Sequence, residues 1–201
     1  MVDTQRNTWD KVASEISFSL EPDLKKLATL INKDAKILDY GCGYGRVTAN
    51  LHEDGYKNTT GVDTSIGMIR RGLKQYPMLD LQYIESYRIP DGLGKFDVIL
   101  LCAVLTCVPN RECRLKITEA VNEALNEDGI FYCVEFHKSD AINYSPFGTF
   151  SSSFNVEMKH FLPNEISEEL AIFDEIICSV SEATTMTGTK INAIHYLGKK
   201  F

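Results

Sequence analysis

Short apolar runs alternate along the chain with segments whose apolar residues recur at helical spacing. Residues 36–40 (KILDY), 59–63 (TTGVD), 81–85 (LQYIE), 96–102 (FDVILLC) and 130–136 (IFYCVEF) read as strands. Between them, 45–53, 65–76 and 110–127 read as helices. The last is the clearest, with Leu115, Ile117, Ala120, Val121, Ala124 and Leu125 largely on one face and Gly129 as its stop. Strand–helix repetition predicts a parallel sheet covered by helices on both faces. Strands buried on both sides are apolar without alternation, as VILLC is.

The C-terminal end changes style. Segments 175–183 (EIICSVSEA) and 191–197 (INAIHYL) are separated only by the turn-like TMTGTK. A link that short forces antiparallel pairing. The expected fold is therefore α/β: a Rossmann-like, doubly wound, mostly parallel seven-stranded sheet with a C-terminal antiparallel hairpin. Two regions fall outside the alternation. Within residues 4–20, Trp9, Val12, Ala13, Ile16 and Leu20 fall at helical spacing, which predicts an amphipathic helix packed on the body as a lid or simply as cover. Residues 137–163 form a long connection rich in Ser and aromatics, of a length that is often functional. The chain carries no repeats and no separating linker, so residues 1–201 are expected to form one domain.

Composition narrows the function. The 201 residues carry a net charge of −7. Without a basic block, the chain is a poor candidate for nucleic-acid binding, which relies on Lys and Arg at phosphates. No apolar stretch is long enough for a membrane span, and the polar N-terminus resembles neither a secretory signal nor a transit peptide, so a cytoplasmic location is expected. The six cysteines (42, 102, 107, 113, 133 and 178) form no Cys-x-x-Cys pair. They read as small buried hydrophobes, and no metal site is expected.

The chemistry starts at residues 36–46, KILDYGCGYGR. Gly41, Gly43 and Gly45 follow the first strand and open the first helix. That turn lies at the carboxyl end of a parallel strand, where α/β sheets bind ligands against main chain and a helix N-terminus. The dinucleotide fingerprint fails, because Arg46 stands where its third small residue belongs. The P-loop fails for want of Gly-Lys-Ser/Thr. Asp63 lies 22 residues after Gly41, close to the spacing of a ribose-binding acid.

ILDYGCGYGRVT resembles motif I of the class I S-adenosylmethionine-dependent methyltransferases, D/E-x-G-x-G-x-G, through Asp39, Gly41, Gly43 and Gly45. GVDTSIGMI (61–69) is similar to the family's second-strand motif, FDVILLCAVLTCVPN (96–110) to its fourth-strand motif, and INAIHYLGKK to its final antiparallel strand. The resemblance covers nearly the whole chain and implies S-adenosylmethionine as cofactor. Main chain around Gly41, with Tyr40, Cys42, Gly43 and Gly45, would hold the methionyl end, whose amino group faces Asp39 and the Tyr40 carbonyl. Asp63 would take the ribose hydroxyls. Thr64 and Met68 would lie near ribose and adenine, and Glu85 and Ser86 near the adenine amino group and ring. Cys102, with Ala103, would flank the methionyl chain and the methyl group.

Members that methylate base amines or glutamine amides carry Asn/Asp-Pro-Pro-Tyr/Phe after the fourth strand. This chain has Cys102-Ala103-Val104-Leu105 there, and Thr106 and Cys107 replace the Leu-His-His histidines of the small-molecule branch. The expected partner is thus a small-molecule methyl acceptor, with O, N, S or C undetermined. A protein or RNA acceptor, and a nucleoside-binding protein without turnover, stand as alternatives. His137, directly after the fifth strand, is the first candidate for a base, followed by Tyr144 and His160 in the long connection. Phe147, Phe150, Phe154 and Phe161 are candidates for an apolar acceptor wall or for pins that hold the connection to the sheet.

Overall fold

The computed structural model describes residues 5–201, so residue 4, the first position of the expected N-terminal segment, lies outside the described residues. Strands β1 (Ile37–Tyr40), β2 (Thr59–Asp63), β3 (Asp80–Tyr83), β4 (Phe96–Cys102) and β5 (Leu125–Phe136) are parallel. Strands β8 (Asp174–Thr184) and β9 (Lys190–Lys199) complete a seven-stranded sheet of order β3-β2-β1-β4-β5-β9-β8, and β9 pairs antiparallel with both of its neighbours. The expected α/β sheet with its antiparallel C-terminal pair is what forms.

The apolar strand runs fill both faces. Leu38, Ile99, Leu101 and Phe131 join one core with Ile117 and Val121 of helix α5 (Arg111–Ala124) and with Ile166 of helix α6 (Pro163–Glu169). Their chain neighbours Ile37, Val98, Leu100 and Tyr132 face the other way, against Val47 and Leu51 of helix α3 (Arg46–Glu53) and Leu27 of the short helix α2 (Leu24–Leu27). This is the period-two alternation of a pleated strand, with both faces dry. Helix α4 (Ile66–Gln75) covers the β2–β3 end and is capped by Ser65, whose hydroxyl accepts from the Met68 amide.

Several boundaries differ from expectation. Helix α5 ends at Ala124 rather than 127, because Leu125 is already extended (φ −74°, ψ 144°) and pairs with Phe96. The N-terminal helix α1 covers only Arg6–Val12, and residues 13–20 run on without regular structure, with Ile16 and Leu20 buried. The 137–163 connection is not a plain loop. It folds a second small sheet from β6 (Thr149–Ser151) and β7 (Glu157–Lys159), which buries Val156 and Met158.

Helices α5 and α6 are joined by a buried ion pair. Arg114 donates to both carboxylate oxygens of Glu169 at 2.6 Å each, and its third nitrogen donates to the carbonyls of Val108 (2.8 Å) and Pro109 (2.7 Å). Side chains this buried (3% and 8% exposed) carry a large desolvation cost that only the partner offsets. Glu169→Ala therefore strands the guanidinium and is expected to lower unfolding stability by about 3 kcal/mol or more, measured by urea denaturation.

Candidate functional site

The chain builds β1, β2 and β3 outward, then returns to place β4 on the other side of β1. The carboxyl ends of β1 and β4 thus diverge into two loops, and a largely apolar cavity opens between them, lined by Gly41, Gly43, Asp63, Cys102 and Val104 among others. The glycine turn is fastened beneath it: the amides of Gly41 and Cys42 both donate to the Val62 carbonyl, at 2.8 and 3.0 Å.

Gly41, Gly43 and Gly45 all adopt positive φ (73°, 57° and 82°), a region closed to most L side chains. Each is also touched by another part of the protein. A Cβ on Gly41 would meet Val104 at 2.6 Å, one on Gly43 would meet Phe18 at 2.6 Å, and one on Gly45 would meet Leu81 at 2.7 Å. The turn is bare because protein packs on it, besides leaving main chain open to a ligand.

Two carboxylates sit in the floor. Asp63 accepts from the Gly43 amide (2.8 Å) and the Ser65 amide (2.7 Å), and so joins the glycine turn to the start of α4. Burial raises its pKa against the pull of those amides. Asp39 accepts from the Thr48 hydroxyl at 2.7 Å, and burial pushes its carboxyl up to about 6. Burial also raises the thiols of Cys42 and Cys102, which stay protonated. Arg46, whose bulk counts against a dinucleotide, lines the cavity and donates to the Leu20 carbonyl and to Glu21.

The roof comes from distant parts of the chain. Phe18 stacks on Tyr44 (5.4 Å, 7°), and Trp9 meets Phe18 edge-on. The Arg71 guanidinium covers the other ring contact of Tyr44 at 3.8 Å and donates to the carbonyls of Ala13 (2.8 Å) and Ile16 (2.6 Å). Asp10 of α1 accepts from the Ser65 hydroxyl (2.6 Å) and the Gly67 amide (2.9 Å). Gln5 donates to the Cys107 carbonyl (2.7 Å) and exchanges bonds with the backbone of Glu157 in β7. Met158 of β7 and Met186 of the β8–β9 turn complete the lining.

Of the residues singled out from sequence, Asp39, Tyr40, Gly41, Cys42, Gly43, Asp63, Thr64, Met68 and Cys102 line the cavity. Gly45 lies just below, as the first residue of the α3 cap. Glu85 and Ser86 do not reach it. Strand β3 ends at Tyr83, both residues are exposed, and Ile84 and Tyr87 turn inward instead; the Tyr87 carbonyl accepts from the Tyr40 hydroxyl at 2.7 Å.

The three candidate bases also stand outside the cavity. They form a group of their own: Tyr144 and His160 are hydrogen-bonded (Oη to Nδ1, 3.0 Å), and the Ser139 amide donates to the same phenol. Burial, and then the charge of His137, lower His160 to about 4, so it is neutral near pH 7. His137 and Tyr144 line a separate polar groove with Lys138, Asp140, Glu182 and Lys190. Phe136, whose ring lies 5.3 Å from His160, borders the apolar cavity between the two. None of the four phenylalanines of the connection lines the apolar cavity. Phe161 is core, Phe150 packs on His160, Phe154 packs against the cluster of Ala13, Ile16, Tyr44 and Met68, and Phe147 is 87% exposed.

One acid was not singled out from sequence. Glu135, near the end of β5, is buried and accepts from two main-chain amides of the turn after β4. The available signal is a lone carboxylate inside the apolar run IFYCVEF, since a buried charge requires donors.

A family model described as a methyltransferase domain matches residues 12–178. An uncharacterized protein of Rickettsia prowazekii (strain Madrid E) is 35% identical over 104 residues, which cover 49% of this chain and 41% of that protein. The chain spans less than half the length of the curated relatives it matches. Among solved structures, a SAM-dependent methyltransferase from Methanosarcina mazei superposes with a TM-score of 0.79 at 22% identity, covering 88% of this chain and 97% of that one. The 1,6-didemethyltoxoflavin-N1-methyltransferase of Burkholderia thailandensis, solved with 1,6-didemethyltoxoflavin and S-adenosylhomocysteine bound, gives 0.64 at 17% identity, covering 98% and 80%. At such identities the structural likeness shows the fold.

The raised carboxyl of Asp39 has a consequence for stability. The folded protein keeps its proton up to about pH 6, whereas an unfolded chain releases it near the ordinary 3.8. The group's contribution is thus intact at low pH and is lost as pH rises through that window. Asp39→Asn, which keeps an acceptor for Thr48, is expected to add roughly 1–3 kcal/mol of stability at pH 8 and little at pH 4, compared by urea denaturation.

Proposed function

The chain belongs to the methyltransferase-domain family, and on that premise we propose that it transfers a methyl group from S-adenosylmethionine to a small-molecule acceptor. The observation that carries this reading is Asp63, held by the Gly43 and Ser65 amides at the end of β2, beside three left-handed glycines. A carboxylate fixed there has lone pairs left for the two hydroxyls of a ribose, and the bare Gly41–Gly43 backbone gives the amino-acid end main chain to bind. The lining residues fit the cofactor's chemistry as well. Asp39 would face the cationic methionyl end, and apolar side chains such as Met68 and Ile84 would take the adenine.

When bound, the cofactor supplies an electrophilic methyl group. The protein's part is then to align an acceptor with it and to exclude water, which by itself can account for several kcal/mol of the barrier. Among the described residues, no His, Lys or Glu side chain lines the apolar cavity, and its two carboxylates, Asp39 and Asp63, are the groups that this reading gives to the cofactor. This favours acceptors that do not need a base at the reacting atom over the roles first considered for His137, Tyr144 and His160. The net charge of −7 and the apolar, aromatic roof favour a small apolar acceptor over a nucleic acid. The cavity measures about 120 Å³. Ligand sites are commonly about 300–1,000 Å³, so holding a cofactor of this size would require the roof segment that rests Phe18 on Gly43 to give way.

Calorimetric titration of the protein with S-adenosylmethionine, S-adenosylhomocysteine and NAD tests the reading. Micromolar binding of the first two is expected, with none of NAD. Asp63→Ala should weaken binding by roughly tenfold or more while a thermal melt shows the chain still folded. Binding of NAD alone would sink the proposal.

A further inference from the structure

Glu135 is 1% exposed and lies between Val134 and Phe136 near the end of β5. Its Oε1 accepts from the Leu105 amide and its Oε2 from the Thr106 amide, each at 2.8 Å. The Cys133 thiol adds a long contact at 3.7 Å. Among the described residues it forms no ion pair. Main-chain dipoles are therefore what compensate the buried carboxylate, and burial lifts its pKa to about 7 in spite of them.

The bonded amides belong to the tight turn Leu105–Cys107 that follows β4. The turn begins at Ala103, a non-glycine residue with φ 58°, whose own amide donates to the Val134 carbonyl at 2.8 Å. A left-handed alanine is unfavourable by itself and persists where its surroundings hold it. Here the end of β5 supplies the hold at three points: Val134 takes the Ala103 amide, and Glu135 takes the next two donors that face it. The result on the cavity side is specific. Ala103, Val104 and Cys107 line the cavity, and Val104 is pressed toward Gly41, close enough to bar a Cβ there.

We infer that Glu135 is a positioning residue for methyl transfer: its two-oxygen grip on the Leu105 and Thr106 amides sets Ala103 and Val104 against the end of the cavity that receives the methyl-bearing part of the cofactor. This rests on the S-adenosylmethionine reading above. Glutamate suits the role because both oxygens accept. Glutamine would turn an NH₂ toward one of the two amides, and an apolar residue would leave both unpaired.

S-Adenosylmethionine and S-adenosylhomocysteine differ at the methyl group and its sulfonium charge, so they separate positioning from general support of the fold. In calorimetry on the full chain, Glu135→Gln is expected to weaken S-adenosylmethionine roughly tenfold and S-adenosylhomocysteine less than about twofold. Amide hydrogen exchange read by NMR should quicken at Leu105 and Thr106, with the Gly43 amide, held by Asp63, unchanged. Equal weakening of the two ligands, or no change in either, would overturn the role. Wild-type protein that binds neither ligand would overturn the cofactor reading, and this role with it. Should Glu135→Gln not fold, Glu135→Asp keeps the charge and withdraws it by one methylene, and the same selective loss is expected.

Discussion

Left-handed backbone at the end of β1 is the constraint from which the site follows. Gly41, Gly43 and Gly45 turn the chain sharply from the sheet into α3, and each lies under a side chain from elsewhere: Val104 from the β4 turn, Phe18 from the N-terminal segment, Leu81 from β3. Three parts of the fold therefore converge on one short stretch of bare main chain. Any Cβ there would both strain its own φ and push a neighbour away. The same bareness that admits these contacts is what a ligand would use.

Charge placement follows the same geometry. Asp39, Asp63 and Glu135 come from β1, β2 and β5, and each carboxylate is compensated by donors that the loops leave free. Asp63 has the amides of Gly43 and Ser65, Glu135 those of Leu105 and Thr106, and Asp39 the Thr48 hydroxyl. All three are raised by burial, which says that these donors offset the desolvation only in part. An electronegative floor under an apolar roof suits a cationic ligand better than an anionic one. Its largely apolar lining distinguishes this cavity from the polar groove that holds His137 and Tyr144.

The roof shows how non-local a small site can be. Asp10 ties α1 to the N-terminus of α4, next to Asp63, and Gln5 links α1 to β7 and to the turn held by Glu135. The N-terminal segment is thus joined by direct hydrogen bonds to the Ser65 cap, whose amide donates to Asp63, and to the β4 turn. Contacts of this kind join single polar groups far apart in the chain, 55 positions for Asp10 to Ser65 and 102 for Gln5 to Cys107.

The sheet was legible in the sequence because burying a parallel strand on both faces demands an unbroken apolar run, and VILLC and IFYCV are such runs. The glycine turn was legible because a left-handed backbone restricts residue type locally, and Asp63 because an acid ends the second strand at a telling spacing from Gly41. Boundaries such as the end of α5 were not. Leu125 fits the helical face as well as a strand, and its pairing with Phe96 decided between them. The third-strand residues went the same way, since Glu85 and Ser86 follow a strand that ends at Tyr83 and only the ensuing turn brings Ile84 and Tyr87 inward. Sequence by itself determined the α/β order, the glycine turn after β1 and the acid that ends β2, since each is imposed by neighbours along the chain. Tertiary structure alone decided that His137 and Tyr144 line a second groove with His160 buried against Tyr144, that Phe18 covers Gly43, and that Glu135 grips the β4 turn. Those relations depend on which distant segments a folded sheet brings within hydrogen-bond or van der Waals reach.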